Sequence, residues 1–516
     1  MTTTNHKKAP HRKKRVLIVN AYFDPWRNAT PTRFLVPRPL APFFLAGHFN
    51  PQVCDVQVWD EVFHGLMLDK RRFDWPDMVV FTGLTAAFDR ARQLTAYFRN
   101  ANPHCVTVIG GHIARALPAL CADVFDYVCM GDTEEIAAVA TAVFGPDAGL
   151  PDGAPRQDLA APRMGVAYLE TTKNCNFACS FCTLTGEGRP YTAYATETIE
   201  RQLDAIGRVH AVALADNNFF GSNRRSFEHR VRLLGDRVRA GQFKSWGCLV
   251  TGDFFANPAN LALAAENGCA AIFSGVETLD PKVLASYNKK QSLIAHPATL
   301  TQACAENGIF FDYGMMVDFS QQTMAEVAEQ VDGLLADPRM KLPAFISTTI
   351  PVVGTPYFEN AAQAGRLLPD VLLSDMDGMK LVERPKEPLE EVAAFYGDLL
   401  NMRGRRRALF RHTFGQAMHW RKHLPVELTA LSIVMQLHRY QRRRGFGTIA
   451  QMRMTAREAK PTYLASTDPL RLAYTPIMRL PSAFAKDFEP LAITDGAGAL
   501  TDPFQRARER PVAQSV

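Results

Sequence analysis

Cys175, Cys179 and Cys182 lie in the run Thr-Thr-Lys-Asn-Cys-Asn-Phe-Ala-Cys-Ser-Phe-Cys, residues 171–182, and this C-x3-C-x2-C spacing constrains the chain more than any other feature. Three thiols this close together suit one metal centre. Structural zinc usually takes four protein ligands, and no fourth Cys or His follows at finger-like spacing. Three thiolates on a cubane iron–sulfur cluster leave one iron without a protein ligand. That iron can bind and activate a small molecule, so the spacing points to catalysis rather than to electron transfer alone. The plain alternative is three unrelated core cysteines, since free Cys is a common buried residue. The chain has ten, and the other seven are scattered.

Phe181 stands directly before the last Cys, and C-x3-C-x-aromatic-C resembles the signature of the radical SAM superfamily. The resemblance implies a 4Fe–4S cluster on Cys175, Cys179 and Cys182, with S-adenosylmethionine (SAM) chelating the open iron through its amino and carboxylate groups. The reduced cluster then passes an electron to the sulfonium and releases a 5′-deoxyadenosyl radical, which abstracts hydrogen from unactivated carbon. Such cofactors carry the hard chemistry and the protein positions them. A reductant protein such as flavodoxin or ferredoxin is the expected partner.

At 516 residues the chain is long enough for two or three domains, and 47% hydrophobic content can build a large core. No apolar run reaches the ~18 residues of a spanning helix. The first residues are basic and carry no apolar segment of the secretory kind. Cysteines that must stay reduced argue for a cytoplasmic protein. The net charge of +6 is too mild to imply nucleic acid, and no recognition motif accompanies it.

The fold expected is α/β. Residues 1–14 read as a basic tail. Arg15–Asn20, Val56–Trp59, Met78–Phe81 and Val106–Ile109 are apolar runs of the kind that form buried parallel strands. Helical stretches between them, such as Pro39–His48 and Phe88–Asn100, make 15–145 a doubly wound parallel-sheet domain. Residues 146–163 read as a linker. Over 164–370, apolar runs at 211–215, 247–250, 270–273, 309–317 and 345–350 alternate with helical stretches. With the strand near Gly165 they match a partial (β/α)6 radical SAM barrel, whose chemistry would lie at the strand carboxyl ends. A mainly helical region, 371–460, and an irregular tail, 461–516, complete the chain.

The resemblance extends past the cysteines. Val16–Asn20, Pro39–Gly47, Val108-Ile-Gly-Gly-His112 and Asp126–Glu135 look like pieces of the N-terminal cobalamin-binding domain of one radical SAM class. Asp216-Asn-Asn-Phe219, Ser274-Gly-Val-Glu-Thr278 and Gly354-Thr-Pro356 resemble that class in order and spacing. The resemblance puts Gly110, Gly111 and His112 at the cobalamin, with a tight turn and a half-exposed loop His as the plain alternatives. It puts Phe181, Asp216, Asn218 and Glu277 at SAM. A turn-forming Asp-Asn-Asn and a buried Glu277 ion pair are the alternatives there. The class motif that supplies an axial His to cobalt is missing: Asp60-Glu-Val-Phe-His64-Gly65 has the residue types at the wrong spacing. Cobalamin without a protein imidazole is therefore expected.

The architecture implies methylation of an unactivated carbon of a small-molecule or lipid-like substrate. Radical cyclisation, oxidation or rearrangement is the second reading, and a non-catalytic cluster or cobalamin sensor the third. No catalytic acid, base or radical-quenching residue can be named from the sequence. Between Arg403 and Lys460 the only carboxylates are Glu427 and Glu458. Arg405–Arg407 and Arg442–Arg444, interleaved with Phe410, Phe414, Trp420 and Phe446, suggest a peripheral contact at the inner membrane face, with a solvated helix face or an acidic-substrate pocket as alternatives.

Overall fold

The computed structural model describes residues 12–21, 40–159, 165–378, 380–441, 456–457, 460–461 and 476–509. Five strands form the first sheet: β1 (Lys14–Asn20), β2 (Cys54–Asp60), β3 (Met78–Thr82), β4 (Val106–Ile109) and β5 (Tyr127–Val128). They run parallel in the order β2-β1-β3-β4-β5. Both faces of β1 are buried, which is why it reads as a continuous apolar run. Val16 and Ile18 pack with Val56, Val80 and Val108 on one face, and Leu17 and Val19 pack with Val79, Phe81 and Ile109 on the other. β1 begins at Lys14, one residue before the sequence expectation, and residues 1–11 of the expected tail lie outside the described residues.

The second sheet has six parallel strands in chain order: β6 (Val166–Leu169), β7 (Ala211–Leu214), β8 (Ser245–Leu249), β9 (Cys269–Glu277), β10 (Phe310–Val317) and β11 (Phe345–Thr348). Helices cross between successive strands, giving the expected partial barrel in which all strand carboxyl ends face one side. The expected linker does not run free: Asn50 donates to the Asp147 carbonyl at 2.8 Å, and the Arg156 N–H donates to the Phe43 carbonyl at 3.0 Å.

Helices Leu389–Leu400, Arg406–Trp420 and Val426–Gln441 make the C-terminal region. The irregular-tail expectation needs correction over 476–509. This segment contains 3-10 turns at Ser482–Phe488 and a helix at Asp502–Glu509. It straps across the helix Phe88–Ala101 and the loop near Leu372. The Ile477 N–H donates to Tyr97 at 3.0 Å, Arg92 donates to the Lys486 carbonyl at 2.6 Å, and the Leu373 N–H donates to the Leu491 carbonyl at 2.9 Å. Its apolar residues Phe488, Ile493 and Phe504 join the main core at spacings that match neither helix nor strand, which hid them from periodicity.

Candidate active site

The three cysteines occupy the loop that leaves β6. Asn174 takes a left-handed φ of 62° to start the loop, and Cys182 is the N-cap residue of the helix Thr183–Glu187. All three thiols are free of disulfides. Burial pushes Cys175 and Cys182 up, while backbone N–H groups of Phe177 at Cys175 and of Leu184 at Cys182 pull them back. Donors of this kind also suit sulfur that carries a cluster's charge. Among the described residues no group of three His, Cys, Asp or Glu side chains converges on one metal ion. A cubane asks for something different, because each thiolate then sits on its own iron. The free thiols and N–H donors of one loop fit that group.

Two of the three motifs that follow the cysteines hold this loop. Asp216, just past β7, is fully buried, and its Oδ1 accepts from the Thr171 N–H at 2.9 Å, the Thr171 hydroxyl at 2.9 Å and the Thr172 hydroxyl at 2.6 Å. Asn218, also fully buried, donates to Asn176 at 2.7 Å and accepts from the Thr251 N–H at 3.4 Å. Gly354 lies so close to Gly186 that a Cβ on Gly186 would run into the Gly354 carbonyl. Beyond it, the Tyr357 N–H donates to the Ser180 carbonyl at 3.0 Å. Asp216 and Asn218 thus hold the loop through partners more than 40 positions away in the chain.

Glu277 ends β9 with a left-handed φ of 67° and a register shift against β10. Its Oε1 accepts from Lys289 Nζ at 2.5 Å, with side chains 12% and 9% exposed. The buried ion pair that the sequence left as an alternative is therefore present. Gly275 is small for this reason: a Cβ there would meet Glu277 Oε1 and Lys289 Nζ. The pair stands at the cysteines, since Lys289 lies 5.6 Å above the Phe181 ring, and Gln291 Nε2 donates to Cys179 Sγ at 3.3 Å. Sequence reasoning missed Lys289 and Gln291, whose approach depends on the turn after the helix Pro281–Ser286. Glu277→Gln should leave Lys289 buried without a counter-charge and cost about 3 kcal/mol of stability. Denaturant unfolding of the variant measures this, and an unchanged unfolding midpoint would contradict it.

A second buried network was also invisible in the sequence. Asp318 Oδ2, past β10, accepts from Tyr287 at 2.7 Å, Tyr357 at 2.9 Å and Gln321 at 2.6 Å. The same Tyr357 hydroxyl lies 2.9 Å from a Glu383 oxygen, and Arg366 donates to the other Glu383 oxygen at 2.6 Å. The Phe181 ring sits edge-on to Tyr287, 5.1 Å between centroids. The network therefore backs the aromatic residue of the cysteine motif.

A cavity of about 330 Å3 lies between the two sheets. Gly110, Gly111 and Val108 line it from the first sheet, and Glu170, Glu187 and Arg189 from the barrel. Gly111 has a φ of 88°, a conformation that favours glycine, and together with Gly110 it presents no side chain at the β4 carboxyl end. Glu170 follows β6 directly. Burial, with help from the nearby Asp216 charge, pushes its carboxyl up to about 7, and Tyr194 donates to it at 3.0 Å. The cavity edges are bridged by ion pairs of Arg189 with Asp132 and of Lys173 with Glu134.

His112 stands where the first domain meets the barrel, its Nδ1 3.7 Å from Glu187 of the cavity lining. Its Nε2 pairs with the Val353 carbonyl at 2.7 Å, so it ties the first domain to the barrel loop before Gly354. His64 is exposed, accepts from the Asp60 N–H at 2.9 Å and is not among the residues lining the cavity. The neighbouring Glu61 is fully buried against Arg90 at 2.8 Å.

No family model matches the chain. Over 272 residues it is 24% identical to the bacteriochlorophyllide d C-12(1)-methyltransferase of Chlorobaculum tepidum, covering 50% of this chain and 56% of that protein. The match thus spans little more than half the length of the curated relative. The fold is similar to that of the radical S-adenosylmethionine methyltransferase TsrM from Kitasatospora setae, solved with tryptophan substrate and a SAM analogue. The TM-score is 0.51 and the identity 16%, over 69% of this chain and 78% of that one. It is also similar to the cobalamin-dependent S-adenosylmethionine radical enzyme OxsB, solved with aqua-cobalamin. There the TM-score is 0.56 and the identity 13%, over 96% of this chain and 80% of that one.

Proposed function

We propose that this chain, which has the two-sheet fold of cobalamin-dependent radical SAM enzymes, cleaves SAM at a 4Fe–4S cluster and methylates an unactivated carbon of a small-molecule or lipid-like substrate. The observation that carries the reading is the cavity whose wall runs from Gly110 and Gly111 to Glu170 and Glu187, the residues that flank the cysteine segment in the chain. Cluster, SAM and cobalamin together supply a carbon radical on the substrate and a methyl group to meet it.

The chain's own part is to hold and shield these groups. Cys175, Cys179 and Cys182 would ligate the cluster. Gly110 and Gly111 would give the corrin its flat approach. Glu277 and Phe181, at the loop, would face SAM, with the Lys289 ammonium sharing the carboxylate. Glu170 is placed on the cavity wall to hold or release a proton near neutral pH. A low-potential protein such as flavodoxin or ferredoxin would supply electrons.

Methyl-labelled SAM tests the reading. With the anaerobically reconstituted enzyme and a substrate, label in the product is expected. Label left in methionine with 5′-deoxyadenosine formed would move the assignment to radical cyclisation, oxidation or rearrangement. The cobalamin arm has its own expected result. The electron paramagnetic resonance spectrum of the cob(II)alamin-loaded protein should lack nitrogen splitting from an axial imidazole and should not change in His64→Ala. A nitrogen splitting lost in that variant would show that the displaced Asp60–Gly65 segment supplies the ligand.

A further inference from the structure

The helix Arg406–Trp420 is buried on one side only. Leu409, His412, Thr413, Gln416 and Trp420 face inward. On the opposite side Phe410, Phe414 and Met418 are 55%, 71% and 43% exposed. Their i, i+4, i+8 spacing makes them a single apolar row along the helix. Arg407 and Arg411 form the adjoining row, and Arg421 and Lys422 continue this exposed face beyond the last turn. The segment 406–422 itself contains no carboxylate, and none of the four cations is ion-paired among the described residues. The basic cluster is thus rearranged from its sequence reading. Arg405 turns away to pair with Asp332 at 2.6 Å, and Arg442–Arg444 lie outside the described residues.

Two large aromatic rings and a methionine in water are costly for an isolated fold. Burying them would recover hydrophobic free energy. A protein partner could cover the apolar row, but a row of unpaired cations directly beside it asks for anionic charge next to an apolar layer. A bilayer with acidic headgroups offers both at the depth of one helix face. No helix among the described residues is long and apolar enough to span a membrane, so the contact would be at the surface. We infer that the exposed face of the helix Arg406–Trp420 is a docking surface for an anionic lipid bilayer. Phe410, Phe414 and Met418 enter the interface, and Arg407, Arg411, Arg421 and Lys422 meet the headgroups. The inference stands on this face alone and does not depend on the cluster or the corrin.

Flotation of the full chain with phosphatidylcholine vesicles, with and without phosphatidylglycerol, tests it. At low salt the protein should float with the anionic vesicles only, and raised salt should release it. Arg407→Gln/Arg411→Gln should bind about tenfold or more weakly, since each cation near a charged surface contributes on the order of 1 kcal/mol. Phe410→Ser/Phe414→Ser/Met418→Ser should abolish flotation while keeping the parent unfolding midpoint, because these side chains face solvent. Absence of flotation in the parent protein would overturn the inference, as would equal binding by the serine variant. Self-association lost in the serine variant, with no flotation of either protein, would make the face a protein interface and also overturn it.

Discussion

Replacing Cys175, Cys179 and Cys182 together by Ala should remove the iron and the visible absorbance from anaerobically reconstituted protein and abolish SAM cleavage. The parent should carry about four irons per chain. The loss should be complete because all three thiols come from one loop, and no other cysteine is placed to substitute. Cys121, Cys248 and Cys304, for example, are buried elsewhere in the core, and burial raises the pKa of each thiol. The fold itself should persist, because Cys175 and Cys182 are only partly buried and line a loop rather than the packed core. Iron analysis checks the outcome, and a full complement of iron in the triple variant would remove the basis of the cluster assignment.

The second large effect is expected at Asp216, one oxygen of which anchors the start of the cysteine segment. Its Oδ1 receives three hydrogen bonds from Thr171 and Thr172, directly before the cysteines. Asp216→Ala leaves those donors buried without an acceptor, which should cost about 3–5 kcal/mol across the network. Because the strain falls on the loop that begins at Thr171, the variant should reconstitute with much less iron even below its unfolding temperature. Asp216→Asn keeps one acceptor oxygen and should recover part of the loading. Full iron content in Asp216→Ala would mean that the cysteine loop holds its shape without this anchor.

The strands were legible because parallel strands buried on both faces are written as unbroken apolar runs, as β1 and β3 show. The cysteines were legible because their ligands are local in sequence. The resemblance located Asp216, Asn218 and Glu277, but their partners depend on tertiary contacts that leave no periodic trace. Asn218 meets Asn176 across 42 positions, and Tyr357 reaches Asp318 across 39. Lys289 illustrates the difficulty. It sits in an unremarkable Asn-Lys-Lys turn, and only the packing of that turn against Gly252 and Gly275 carries it to the cysteines. His112 has a distant partner of the same kind, the Val353 carbonyl 241 positions further on.

The strap formed by residues 476–509 sets an order of events during synthesis. The helix Phe88–Ala101 is made early, yet Arg92 finds its carbonyl partner at Lys486, 394 positions later. Tyr97 waits 380 positions for Ile477. Until then, that side of the first sheet emerges from the ribosome with Tyr97 lacking its late cover and with part of a buried charge network open. Nearly the whole chain must be made before the earliest domain is finished. The nascent protein is therefore a natural client for chaperones, and an early stop codon would cripple the half of the molecule that has already been translated.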